Sequence, residues 1–220
     1  MKSVALVIIV ACSLAIGFYV GATEYKDAFS GIKWTDVGTF LVTFFGVIFG
    51  FYTYFQWLNN KYKEDAYLAA KKYIASIDEI EEQLDELLFQ YNHICPAAGL
   101  VVENIDISLG RIKHLDSVCN LLYQARRNLN KSHRELEFWN VFLTNEYTKK
   151  HLEINKALAN ISSISYTLNN QLFHFIKSGM ENTSDVTQHK SRLDEECRLM
   201  HKYTQERIQK GFQVIFEFNK

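Results

Sequence analysis

The sequence predicts an all-α protein: an N-terminal two-helix transmembrane hairpin over residues 1–58, then a cytoplasmic antiparallel helical bundle over residues 59–220. Three observations carry this expectation. Two long uncharged apolar runs lie near the N-terminus. One proline and ten glycines among 220 residues supply too few turn formers for a β-rich fold. Beyond residue 60, apolar residues recur at alternating spacings of three and four, the period of a helix with one buried face.

The first run, Val4 to Ala22, follows Lys2 and spans about 4–22. It admits two readings. A lysine, an apolar core and Val20-Gly21-Ala22 match a cleaved signal peptide, whereas the length of the run and the second span close behind it favour an uncleaved anchor. The second run, Val37 to Leu58, has 22 residues without a charge. At about 1.5 Å of rise per residue, roughly 20 apolar residues cross a bilayer. No proline interrupts the chain from Thr35 to His93, so the second span is expected to continue as one helix into the first soluble helix. Lys26 and Lys33 in the connecting loop 23–36 are accompanied by Glu24, Asp27 and Asp36, while Lys61, Lys63, Lys71 and Lys72 follow the second span. Basic residues are retained on the cytoplasmic side, which places both termini there. Trp34 at one end of the span and Tyr52, Tyr54 and Trp57 at the other match interfacial aromatic belts.

Small residues line one side of each span. In the second, Thr35, Thr39, Thr43, Gly46, Gly50 and Thr53 follow spacings of three and four, and Gly46 to Gly50 is a GxxxG motif. In the first, Ser13, Gly17 and Gly21 repeat every four residues. Apolar burial does not drive helices together in lipid, so small faces matter because backbones approach closely there and hydroxyls bond across. The seams either close the hairpin within one chain or mediate self-association. Phe40, Phe44, Phe51 and Phe55 lie away from the seam, towards lipid. Neither span holds a charge, so no proton relay or ion path is indicated.

Four amphipathic segments follow. The first carries Ala70, Ile74, Ile77, Ile80, Leu84, Leu87, Tyr91 and Ile94, with Asp78, Glu79, Glu81, Glu82, Asp85 and Glu86 on an outer face expected to be solvated. After Pro96–Gly99 the second carries Ile105, Leu109, Ile112, Leu115, Cys119 and Leu122. The third is expected from about Ser132 to Lys177, beginning with Phe138, Trp139, Phe142 and Leu143 and continuing in a coiled-coil-like register through Ile154, Leu158, Ile161, Ser165, Leu168, Leu172 and Phe175. A turn at Ser178–Gly179 and Asn182–Asp185, with Asp185 as cap, leads to a final helix carrying Leu193, Cys197, Met200, Thr204, Ile208 and Ile215.

The 24 basic and 25 acidic residues leave a net charge of −1, which gives no general argument for nucleic-acid binding. One basic cluster stands out: Arg126, Arg127, Lys131 and Arg134, with no acid between Asp116 and Glu135. A solvated surface, an acidic partner or a phosphate backbone each fits it, and four charges support only salt-sensitive binding. The four cysteines are scattered and read as small buried apolar residues in a reducing compartment. Cys197 and His201, with His189 upstream, lack a second ligand pair for zinc. No phosphate loop, HExxH, GxSxG or CxxC occurs, so neither an enzyme nor a cofactor or metal is expected.

Two functional classes follow. One is a membrane effector whose soluble bundle is restrained until released, when the spans cluster and disturb the bilayer. The other is a membrane-tethered scaffold or sensor that recruits a cytoplasmic partner. In its layout of two N-terminal spans, a short outer loop and a helical cytoplasmic domain, the chain resembles the two-transmembrane effector proteins of bacterial retron anti-phage systems, most closely the Ec48 type. The resemblance covers the whole chain and carries no site residue. It implies a bacterial inner-membrane toxin, restrained by a reverse transcriptase with its RNA–DNA (multicopy single-stranded DNA) complex. Once freed, it would permeabilise or depolarise the membrane and cause abortive infection. The cluster at Arg126, Arg127, Lys131 and Arg134 is then a candidate nucleic-acid contact.

Overall fold

A computed structural model describes residues 13, 34–95, 104–178, 184–208 and 210–218. The protein is mostly helical, and one of its helices is long and apolar. The elements in order are α1 (Trp34–Ile94), α2 (Ile105–Phe138), β1 (Val141–Leu143), α3 (Asn145–Ser178), α4 (Ser184–Ile208), α5 (Phe212–Ile215) and β2 (Phe216–Phe218). The chain divides into two compact units between Asn59 and Asn60. The first span (4–22), the loop 23–33, Gly17, Gly21, Cys12 and the Pro96–Gly99 break lie outside the described residues. Ser13 is described, as helical and exposed.

Beyond Ser13, the described chain of the first unit is the N-terminal part of α1, unbroken as the lack of proline predicts. The second unit is built on the four apolar stripes. Ala70, Ile77, Ile80, Leu84, Leu87, Tyr91 and Ile94 of α1 are buried, with Ile74 packed at their edge. Ile112, Leu115 and Leu122 of α2, and Ile154, Leu158, Ile161, Leu168 and Leu172 of α3, complete most of the core with Leu193, Cys197 and Met200 of α4. Ile105 and Ile208, at the ends of their stripes, are exposed instead.

Side-chain pairs fix the registers. Between α1 and α2, Lys72 meets Glu135, Ser76 meets Ser132 and Glu79 meets Asn128, so residue numbers rise along one helix as they fall along the other. The same relation holds between α2 and α3 (Asn130 with Asn155, Asp116 with Asn169) and between α3 and α4 (Lys150 with Glu206, Asn160 with Glu196). It holds again between α4 and α1 (Arg207 with Asp78, Thr204 with Glu81).

Three boundaries differ from expectation. The third helix does not begin near Ser132: α2 runs on to Phe138, and Asn140, at φ 54°, turns the chain out of the helix. Asparagine tolerates this left-handed conformation better than other non-glycine residues. Val141–Leu143 then pairs antiparallel with Phe216–Phe218, Val141 opposite Phe218 and Leu143 opposite Phe216. The final helix stops at Ile208 rather than continuing through Ile215, which instead closes α5 before β2. Periodicity is blind to a ribbon whose strands are this far apart in sequence. The last correction is at α4, which begins at Ser184, so Asp185 lies in its first turn and is not the cap.

Candidate functional site

Three surfaces or layers bear on function: the apolar part of α1, the basic face of α2 and a polar layer inside the second unit. Among the described residues, α1 is the one helix long and apolar enough to cross a membrane. Its seam residues Thr35, Thr39, Thr43, Gly46, Gly50 and Thr53 are all exposed. Val37, Leu41, Phe44 and Ile48, spaced by four, three and four, are half-buried, and at about 100° per residue they lie on the opposite side of the helix. Phe44 is therefore not turned fully outward like Phe40, Phe51 and Phe55. The hydroxyls of Thr39 and Thr53, expected to bond across helices, bond within their own. Thr39 Oγ1 donates to the Thr35 carbonyl at 2.8 Å, and Thr53 Oγ1 lies 3.0 Å from the Phe49 carbonyl and 2.9 Å from that of Gly50. That arrangement leaves neither hydroxyl unsatisfied in an apolar medium. A Cβ added at Gly46 or Gly50 meets nothing within 4 Å, so among the described residues no contact requires glycine there.

On α2, Arg127, Lys131 and Arg134 are exposed and, being four and three residues apart, share a face; Arg126 is half-buried and to one side. None of the four forms an ion pair among the described residues. Two nearby acids are engaged elsewhere: Lys72 holds Glu135 at 2.6 Å, and Asn128 donates to Glu79. Lys131 edges a groove of about 310 Å³ between α1 and α2, lined also by Lys72, Ala75, Ser76, Glu79, Asn128 and Ser132.

The acidic face of α1 is more than a solvated surface. Asp78 pairs with Arg207, and Glu81 accepts from Thr204 at 3.0 Å and from Gln205 at 3.3 Å. Asp85 meets His201 at 3.3 Å, and Glu86 meets Gln90 and His114. These acids clamp α1 to α2 and α4. Asp78, Glu79, Glu82 and Asp85 are exposed, as expected of a solvated outer face, and the pairs this face adds to neighbouring helices are what charge pattern alone does not show.

The polar layer went unnoticed in the sequence. Tyr73 Oη lies 3.0 Å from His151 Nδ1, Asn155 Nδ2 lies 3.1 Å from His151 Nε2, and Asn130 Nδ2 donates to Asn155 Oδ1 at 2.9 Å. His133 stacks on His151, ring centres 4.2 Å apart. Burial, and secondarily the neighbouring His133, push the His151 imidazole down to about 4. Beside it is a small cavity of about 10 Å³, lined by Tyr73, Tyr147, His151 and Arg207 among others. Tyr147 Oη and Arg207 Nε are buried without hydrogen-bond partners among the described residues. A second layer repeats the first one 18 residues on. Tyr91 Oη is 2.6 Å from Asn169 Oδ1, and Asn169 Nδ2 donates to Asp116 at 2.7 Å. Eighteen residues are five helical turns, so Tyr73 and Tyr91, like His151 and Asn169, recur on one face. That spacing was the available signal.

Cys95 and Cys197 are buried and Cys119 is half-buried; all three are free thiols. Burial pushes Cys197 up to about 12, while His201 reaches toward Glu81 and Asp85. No group of three or more histidine, cysteine, aspartate or glutamate residues among the described residues is placed to hold a metal ion. Comparison with protein-family models, with curated proteins and with solved structures finds no match in any of the three.

Proposed function

We propose that this protein is a membrane effector: an antiparallel bundle on the cytoplasmic side is held by a partner, and its release lets two-span hairpins cluster and permeabilise or depolarise the bacterial inner membrane. The observation that carries this reading is the exposed small-residue face of α1, opposite its half-buried face, on a helix that continues into the second unit. A face of glycine and threonine suits close approach of a second helix in lipid, where packing rather than apolar burial drives association. The resemblance to retron effectors supplies the setting. In it the restraint is a reverse transcriptase with its RNA–DNA complex, and the outcome is death of the infected cell.

The test is membrane potential and dye entry in bacteria expressing the chain, beside a Gly46→Leu/Gly50→Leu variant. Rapid depolarisation by the parent is expected, and its loss in the variant, since two leucines on a close-packed seam cost about 1 to 3 kcal/mol. A variant that inserts normally and remains equally toxic would rule out clustering through this face.

The basic face of α2 favours a second reading, a tethered scaffold or sensor in which the spans only anchor the domain. Three exposed cations, none ion-paired among the described residues and one of them, Lys131, edging a groove, suit recruitment of a polyanionic or acidic partner. Intact membrane potential in both strains, with a partner captured through α2, is the outcome that reading requires.

A further inference from the structure

The second unit carries an exposed aromatic end around the first turns of α1 that follow Asn59. Phe138 is 75% exposed, Phe218 44%, Phe142 39% and Tyr62 38%. The patch is tied together: the Tyr62 and Trp139 rings meet edge to face at 5.6 Å, Phe138 meets Trp139 at 5.1 Å, and Asn140 Nδ2 donates to Tyr62 Oη at 2.9 Å. The next residue, Val141, pairs with Phe218. The ribbon and the end of α2 thus bring aromatics from three distant parts of the chain to the level of Tyr62.

We infer that this end is an interfacial foot that seats on the lipid headgroup layer of the bilayer, an inference resting on the reading of Val37–Leu58 as a membrane span. Depth is the first argument. Tyr62 follows Leu58 by four residues, about 6 Å of helical rise, and the polar layer flanking a roughly 30 Å hydrocarbon core is about 5 to 8 Å deep on each side. Chemistry is the second. Tryptophan and tyrosine concentrate at membrane interfaces because one end of the ring system is apolar and the other hydrogen-bonds. Continuity along the helix is the third: exposed Tyr52, Tyr54 and Trp57 form the aromatic belt at the end of the span that precedes Tyr62 on α1. A surface covalently held at headgroup depth meets lipid at high effective concentration, so even modest partitioning keeps it seated. Lys63 beside Tyr62 is exposed and without an ion pair among the described residues, which adds attraction to anionic headgroups.

The chain has three tryptophans, at 34, 57 and 139, which permits a direct test. Full-length protein is reconstituted in phosphatidylcholine–phosphatidylglycerol vesicles with one tryptophan left, the others replaced by phenylalanine. The lipids are brominated either near the headgroup or near the acyl methyl end. The expected result is at least twofold quenching of Trp139 by the shallow bromines, with less by the deep ones, and quenching of Trp57. The same pattern is expected from Phe138→Trp in the variant lacking all three native tryptophans, an exposed site that does not depend on Trp139 packing. Quenched Trp57 with both foot positions unquenched would overturn the foot and leave the span reading standing. No quenching at any position would remove both. Foot tryptophans shielded from aqueous acrylamide yet untouched by bromolipid would assign the patch to a second protein copy and overturn the lipid assignment.

Discussion

His151 is held neutral by its neighbours. Asn130 donates to Asn155 Oδ1, which turns the Asn155 amide nitrogen towards His151 Nε2; that nitrogen must accept, so Nδ1 carries the proton and donates to Tyr73 Oη. Protonating Nε2 would set donor against donor beside the stacked His133, whose imidazole burial also pushes down. With its pKa lowered to about 4 in the fold and near 6.5 when unfolded, His151 binds more protons in the unfolded chain between those values. Stability is therefore fully present above about pH 6.5 and is lost as pH falls towards 4, by about 3 kcal/mol. Urea unfolding followed by circular dichroism in detergent micelles is expected to show this slope, and His151→Leu to flatten it. A wild-type midpoint constant from pH 7 to 4.5 would contradict a His151 held neutral by the fold.

At the scale of the element, the corner between α2 and β1 decides where the bundle ends. Asn140 serves twice, by adopting φ 54° and by donating to Tyr62. Asn140→Val is expected to lower stability by about 2 kcal/mol, from left-handed strain at a β-branched residue and loss of that bond. Asn140→Gly removes the strain but not the loss, and is expected to cost less than about 1 kcal/mol. Thermal melts of the two variants check the order. The ribbon itself buries Val141, Leu143 and Phe216 against the helices, so its pairing is part of the core.

For the whole molecule, the basic face of α2 and the small-residue face of α1 are the two surfaces through which the proposed restraint and the proposed damage would act. Charge reversal at Arg127, Lys131 and Arg134 is expected to leave helicity unchanged, since none of the three is buried or ion-paired among the described residues. If the partner is a nucleic acid, the same change reduces the slope of log affinity against log salt by about 2. A titration of single-stranded DNA binding at several salt concentrations reads this directly. An unchanged slope would remove α2 as the contact.

The sequence by itself determined the helical class, the unbroken α1 and most of the core positions, because these depend on local features: length of apolar runs, absence of proline, and a period of three and four. Ile80, Leu115, Leu158 and Leu193 could be assigned to the interior from spacing alone. Tertiary structure decided what depends on contacts between distant residues. The ribbon joining Val141–Leu143 to Phe216–Phe218, the acids of α1 turned into clamps, the buried Tyr73–His151–Asn155–Asn130 chain and the aromatic end around Tyr62 all join residues far apart in the chain. Short polar or aromatic segments have no period of their own to announce such pairings; each becomes favourable only once the four helices have brought its partner within reach.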